Sequence, residues 1–130
     1  MYIFINEDAN MSQGKVGAQA AHAAVEAYRI SDKELLDAWY VGGHYTKLVM
    51  SAKDAQHLLT IERYLNERYF KTALIIDEGR TEIAPHTPTA LGVAVVDRDD
   101  EHTAATFGDF KTLRPKKCPP CKKKHVWGQK

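Results

Sequence analysis

The sequence predicts an α/β protein, an α/β sandwich built on a four-stranded, mostly parallel sheet. Short β-prone runs alternate with longer stretches of helical period. Each helical stretch is long enough to carry the chain back to the same end of a sheet. The composition agrees: 130 residues, 44% hydrophobic and 27% charged, suit one globular domain with its own core.

Tyr2-Ile3-Phe4-Ile5 is the first β-prone run, and its unbroken apolarity predicts a central strand buried on both faces. Polar residues Asn6 to Gln13 deliver the chain to a helix, with Ser12 the expected N-cap and Asn10 its competitor. Gly14 to about Arg29 is alanine-rich and free of proline. At about 100° per residue, Lys15, Gln19, His22 and Glu26 form one polar stripe. Val16, Ala20, Ala23, Ala24 and Ala27 leave the rest of the helix small enough to lie close on a sheet. Lys15 sits in the first turn, where the helix dipole favours anions, so its placement points to an anion or substrate contact. A nucleoside-triphosphate loop is excluded, because Gly-Lys here lacks the upstream glycine and following Ser or Thr that such a loop needs.

Ser31-Asp32-Lys33-Glu34 has the form of a capping box before Leu35 to Tyr40, a second helix ended by Gly42-Gly43. Trp39 and Tyr40 read as packing residues. Tyr45 to Met50 is the second predicted strand. Ala52 to about Tyr69 is the third helix, with Leu58, Leu59, Ile61, Tyr64 and Leu65 near one face. Thr72 to Asp77 and Ala90 to Val96 complete the strands. Asp97 to Glu101 is an acidic turn, and Glu101 to Thr106 a short helix.

The stretch from Ile75 to Thr89 reads as strand end, loop and next strand start. Asp77 falls where a buried strand surfaces, so its carboxylate is held from behind and open in front. Gly79 permits a sharp turn, Arg80 is close enough to pair with Asp77, and Thr81 and Thr89 can bring two hydroxyls back to it. Taken alone, Asp-x-Gly is a common turn. What shifts the balance is the helix segment before it. Gly14-Lys15-x-x-x-Gln19-x-x-His22-Ala23 followed by Asp77-x-Gly79-Arg80-Thr81-x-Ile83-x-Pro85 and a further Thr resembles the archaeal and eukaryotic type of peptidyl-tRNA hydrolase, over Met1 to about Arg114.

The resemblance implies a three-layer α/β/α fold with a mixed four-stranded sheet, a homodimer, and hydrolysis of the ester joining a peptide to the 3′ end of tRNA. It implies Lys15, Asp77, Thr81 and Thr89 as the catalytic set, with Gln19, His22 and Arg80 in support and no cofactor. Asp77 would orient or deprotonate water, and Lys15 would stabilise the oxyanion or bind a phosphate. Arg80 beside Asp77 would make it a weaker base. The residues alone do not single out the group that takes the proton. Two positions depart from the pattern: Glu78 and His86 stand where small residues are usual. A non-catalytic tRNA- or protein-binding module of the same fold is the rival reading, with Lys15 and Asp77 a structural ion pair. An open cleft holding both groups favours the enzyme, and buried pairing favours the module.

Charge divides the chain. Residues 111–130 hold 8 basic residues and no Asp or Glu, leaving 10 basic against 17 acidic residues in 1–110, a net −7. A domain over 1–114 and a basic tail over 115–130 are expected. The tail suits RNA phosphates and equally suits a solvated end. Cys118, Cys121 and His125 are three candidate zinc ligands lacking a nearby fourth, so incidental cysteines are the preferred reading, ahead of zinc and then redox pairing. No run has secretion-signal form or membrane-spanning length, and a cytoplasmic location is expected.

Overall fold

A computed structural model describes residues 1–77 and 86–113. Its sheet contains β1 (Tyr2–Asn6), β2 (Leu48–Ala52), β3 (Thr72–Asp77) and β4 (Thr87–Val93), in the order β2-β1-β4-β3. The described helices are α1 (Gln13–Ile30), α2 (Lys33–Val41), α3 (Ala55–Glu67) and α4 (Glu101–Phe107), with a 3-10 turn at Glu7–Ala9. As its composition demands, β1 is buried along its whole length in the middle of the sheet.

The three layers follow from strand alternation. Ile3, Ile5, Ala90 and Ile75 face one way and pack with Ala23 and Ala27 of α1 and Leu35, Leu36 and Trp39 of α2. Phe4, Met50, Leu91 and Val93 face the other way, against Leu58, Ile61 and Leu65 of α3 and Phe107 of α4. The small face of α1 allows close approach at Gly92, where an added Cβ would stand 2.3 Å from the Ala23 carbonyl oxygen.

The mixed sheet is as expected, with β1, β2 and β3 running in one direction and β4 opposed to them. β1 pairs in parallel with β2, whereas β4 is antiparallel to both β1 and β3. The β1–β2 connection carries α1 and α2, and the β2–β3 connection carries α3. Residues 78–86 between β3 and β4 form too short a connection for a parallel return, so these strands form a hairpin.

Local differences have local causes. β2 starts at Leu48 instead of Tyr45 because His44 and Tyr45 take φ values of 54° and 43°, left-handed backbone that no strand uses. α3 starts later than predicted because Asp54 caps it, accepting from the His57 N–H at 2.7 Å. Ser31 does not cap α2. It closes α1 instead, donating its hydroxyl to the Ala27 carbonyl at 2.7 Å and accepting from the Val95 N–H at 2.8 Å. Trp39 packs as expected, but Tyr40 is 65% exposed. After α4 the chain returns along the free edge of β2, where Ser51 N–H donates to Lys111 O and Leu113 N–H to Val49 O.

Candidate active site

The carboxyl ends of β1 and β3, the start of β4 and the first turns of α1 converge at one end of the sheet. Ser12 caps α1 by accepting from the Lys15 N–H at 3.2 Å, which fixes the turn that bears Lys15. The Lys15 ammonium reaches the Asp77 carboxylate at 2.8 Å, with side chains 12% and 7% exposed. Asp77 ends β3 on the α1 side, two residues beyond Ile75 and therefore on the same face.

One α-helical turn along, Gln19 is buried and its amide donates to the Thr89 hydroxyl at 2.6 Å. Thr89 lies within hydrogen-bond reach of the Ile75 carbonyl at 3.3 Å. This contact depends on a bulge. Ile75 pairs with Ala90 but Ile76 pairs with Pro88, so Thr89 is the extra residue of β4. Strict alternation would turn Thr89 toward α3 with Leu91; the bulge turns it to α1.

Asn6 holds the same end from the middle of the sheet. Its side chain is spent twice, donating to the Pro88 carbonyl at 2.8 Å and accepting from the Asp8 N–H at 2.9 Å. It is 2% exposed, so its amide serves the backbone of the bulged strand. Sequence reasoning missed it. The available signal was a polar amide directly after an unbroken apolar strand. His86 N–H donates to the Asp77 carbonyl at 2.6 Å and closes the loop between β3 and β4.

Of the residues expected in the site, Lys15, Gln19, Asp77 and Thr89 are brought together. His22 is exposed on α1 and enters no hydrogen bond among the described residues. The helical stripe is thus divided by depth: Gln19 is buried, Lys15 partly so, and His22 in solvent. Arg80 and Thr81 lie outside the described residues, as do Glu78, Cys118, Cys121 and His125. Among the described residues no group of three metal-binding side chains occurs. The arrangement offers a carboxylate at a strand end with an ammonium against it, which is equipment for orienting water and countering negative charge, while the Thr89 hydroxyl is fully buried between Gln19 and Ile75.

Residues 1–113 match the family described as peptidyl-tRNA hydrolase PTH2. The chain belongs to that family. Among PTH2-like relatives, a peptidyl-tRNA hydrolase of Pyrobaculum aerophilum is 41% identical over 119 residues, covering 88% of this chain and 97% of its own. One from Methanothermobacter thermautotrophicus is 32% identical over 111 residues, 85% of this chain and 96% of its own. The human mitochondrial peptidyl-tRNA hydrolase 2 is 36% identical over 96 residues, which span 72% of this chain and 53% of that protein. The span read from the two motifs, Met1 to about Arg114, coincides with the PTH2 match.

Proposed function

We propose that this chain hydrolyses the ester between a peptide, or an N-blocked amino acid, and the 3′ end of tRNA. The observation that carries the reading is the Lys15–Asp77 pair at the sheet end of a PTH2 family chain. In the proposed reaction Asp77 orients the attacking water through its carboxylate. Lys15 balances the negative charge that develops on the carbonyl oxygen, or grips a phosphate of the RNA end. Thr89, fully buried against Gln19, keeps this end of the sheet in place in the proposed reaction; Thr81 is the proposed catalytic hydroxyl, and Arg80 and His22 are proposed for substrate binding. The basic tail over 115–130 contacts RNA phosphates, where released counterions favour association at low salt.

The rival reading, a non-catalytic binding module, draws on the burial of the pair. Burying two opposite charges costs desolvation that their attraction need not recover, and apolar residues of similar volume would serve stability at least as well. Buried pairing is the arrangement that the module reading expects, and turnover by the wild type decides between the two. No helix among the described residues is long and apolar enough to cross a membrane. A cytoplasmic homodimer is the arrangement we propose from the family resemblance.

The experiment is release of the peptide moiety from N-blocked aminoacyl-tRNA by the wild type and by Asp77→Ala, both verified as folded. Release by the wild type that drops about a hundredfold or more in the variant supports hydrolysis at this site. A folded wild type that binds tRNA and releases nothing leaves the binding module.

A further inference from the structure

On the opposite face of the sheet from α1, a cavity of about 580 Å³ opens between α3 and the returning segment after α4. Glu7, Ser51, Lys53, His57 and Lys111 line it together with the apolar and aromatic wall of Ile61, Tyr64 and Phe110. Its polar residues collect where β1 and β2 end, the same end of the sheet that carries Lys15 and Asp77. Glu7 directly follows Asn6, whose amide holds Pro88, so the two places share one rim.

The donors at this rim can receive an anion. His57 Nδ1 accepts the Lys53 backbone N–H at 2.8 Å, which puts the ring proton on Nε2 and leaves Nε2–H as a donor. Among the described residues neither the Lys53 nor the Lys111 ammonium enters an ion pair. Glu7, by contrast, already accepts from the Ser51 hydroxyl. The Phe110 ring lies on the aromatic wall next to the polar mouth, one residue from Lys111 and with the Asp109 carboxylate beside it. Cationic donors at the mouth, an aromatic wall and a carboxylate acceptor are complementary to a phosphodiester, a base and its exocyclic amine.

We infer that this cavity is a subsite for an unpaired nucleotide of the substrate RNA, its phosphate held by Lys53, His57 Nε2 and Lys111 and its base placed against Phe110. This inference rests on the proposed hydrolase function. Single-stranded RNA ends are recognised by stacking and by hydrogen bonds to unstacked base edges, and tRNA 3′ ends carry the amine-bearing bases cytosine and adenine. From β3 to β2 the sheet makes three strand-to-strand steps of about 4.8 Å, so the cavity lies roughly 15 Å from Asp77. A few nucleotides of single strand cover that span. The RNA would pass over the rim at Asn6 and Glu7, with the ester at one side and an upstream nucleotide at the other.

The test has two readouts on the full chain. Cytidine 5′-monophosphate titrated into the labelled wild type is expected to shift the backbone amides of Lys53, His57, Phe110 and Lys111. Those shifts should vanish in the Lys53→Ala, Lys111→Ala double variant, whose folding is checked by its amide spectrum. With N-blocked aminoacyl-tRNA the same variant should show KM raised about tenfold at unchanged kcat, and a log–log salt slope shallower by about 0.7 for one lost phosphate contact. Cytidine 5′-monophosphate shifts confined to other regions, or an unchanged KM and salt slope, would overturn the subsite. If an N-acetylated apolar peptide moves these amides and the nucleotide does not, the cavity belongs to the peptide and the inference fails. The titration needs no turnover, so even a chain that proves inactive on peptidyl-tRNA would show whether the cavity takes a nucleotide.

Discussion

Lys15 with Asp77 and Lys71 with Asp32 are both ammonium–carboxylate contacts of 2.8 Å, yet they occupy opposite settings. The first pair has side chains 12% and 7% exposed, the second 56% and 64%. Water screens the Lys71 pair, so holding two long side chains together gains almost nothing. At the sheet end the same contact is shielded, each charge depends on the other, and both carry a desolvation cost. Equal distances therefore imply unequal consequences. A surface pair can be deleted quietly, while removing one member of the Lys15–Asp77 pair leaves the other charge shielded and uncompensated.

Single substitutions should expose the contrast. Asp77→Ala strands the Lys15 ammonium in its shielded position, and denaturant unfolding should show a loss of about 3–5 kcal/mol. Gly92→Ala comes next: its methyl would press on the Ala23 carbonyl and lever α1 away from β4. Unfolding should register about 1–3 kcal/mol, with a lower kcat because Lys15 and Gln19 ride on that helix. Gln19→Leu leaves the Thr89 hydroxyl without its amide partner, at a cost of about 1–2 kcal/mol in thermal unfolding and with slower turnover.

Two smaller effects complete the series. His86 has φ 62°, a conformation that suits glycine, which gives a physical meaning to the departure seen in the sequence. His86→Gly should remove about 1 kcal/mol of left-handed strain, partly offset by the extra freedom glycine gains in the unfolded chain; a small rise in melting temperature checks it. Lys71→Ala should change stability by less than about 1 kcal/mol and leave hydrolysis at the wild-type rate.

How much of this was legible in the sequence depended on the range of the interaction. Ser12, Lys15 and Gln19 were placed on their helix correctly because capping and helical spacing are local, whereas Asp77 was expected where a buried strand surfaces and is instead the buried residue of a half-buried strand. The use of Gln19 was less legible, since its partner Thr89 is 70 residues away and faces it only through a bulge. Asn6 escaped for the same reason: its partner Pro88 is 82 residues distant. Ser31-x-x-Glu34 has the pattern of a helix start, but the tertiary contact with Val95 claims the serine hydroxyl. Three of the four strands run in one direction, as the alternation of strands and helices implied, and the short β3–β4 connection is what sets β4 against them.

The most direct test is the double variant Lys15→Met, Asp77→Leu, which replaces both members of the shielded pair with apolar side chains. Stability and hydrolysis of N-blocked aminoacyl-tRNA should be measured on the same preparation. If the pair is there for chemistry, the variant unfolds within about 1 kcal/mol of the wild type, or is more stable, while kcat/KM falls at least about a hundredfold. A stable variant that hydrolyses at the wild-type rate would contradict a catalytic role for Lys15 and Asp77.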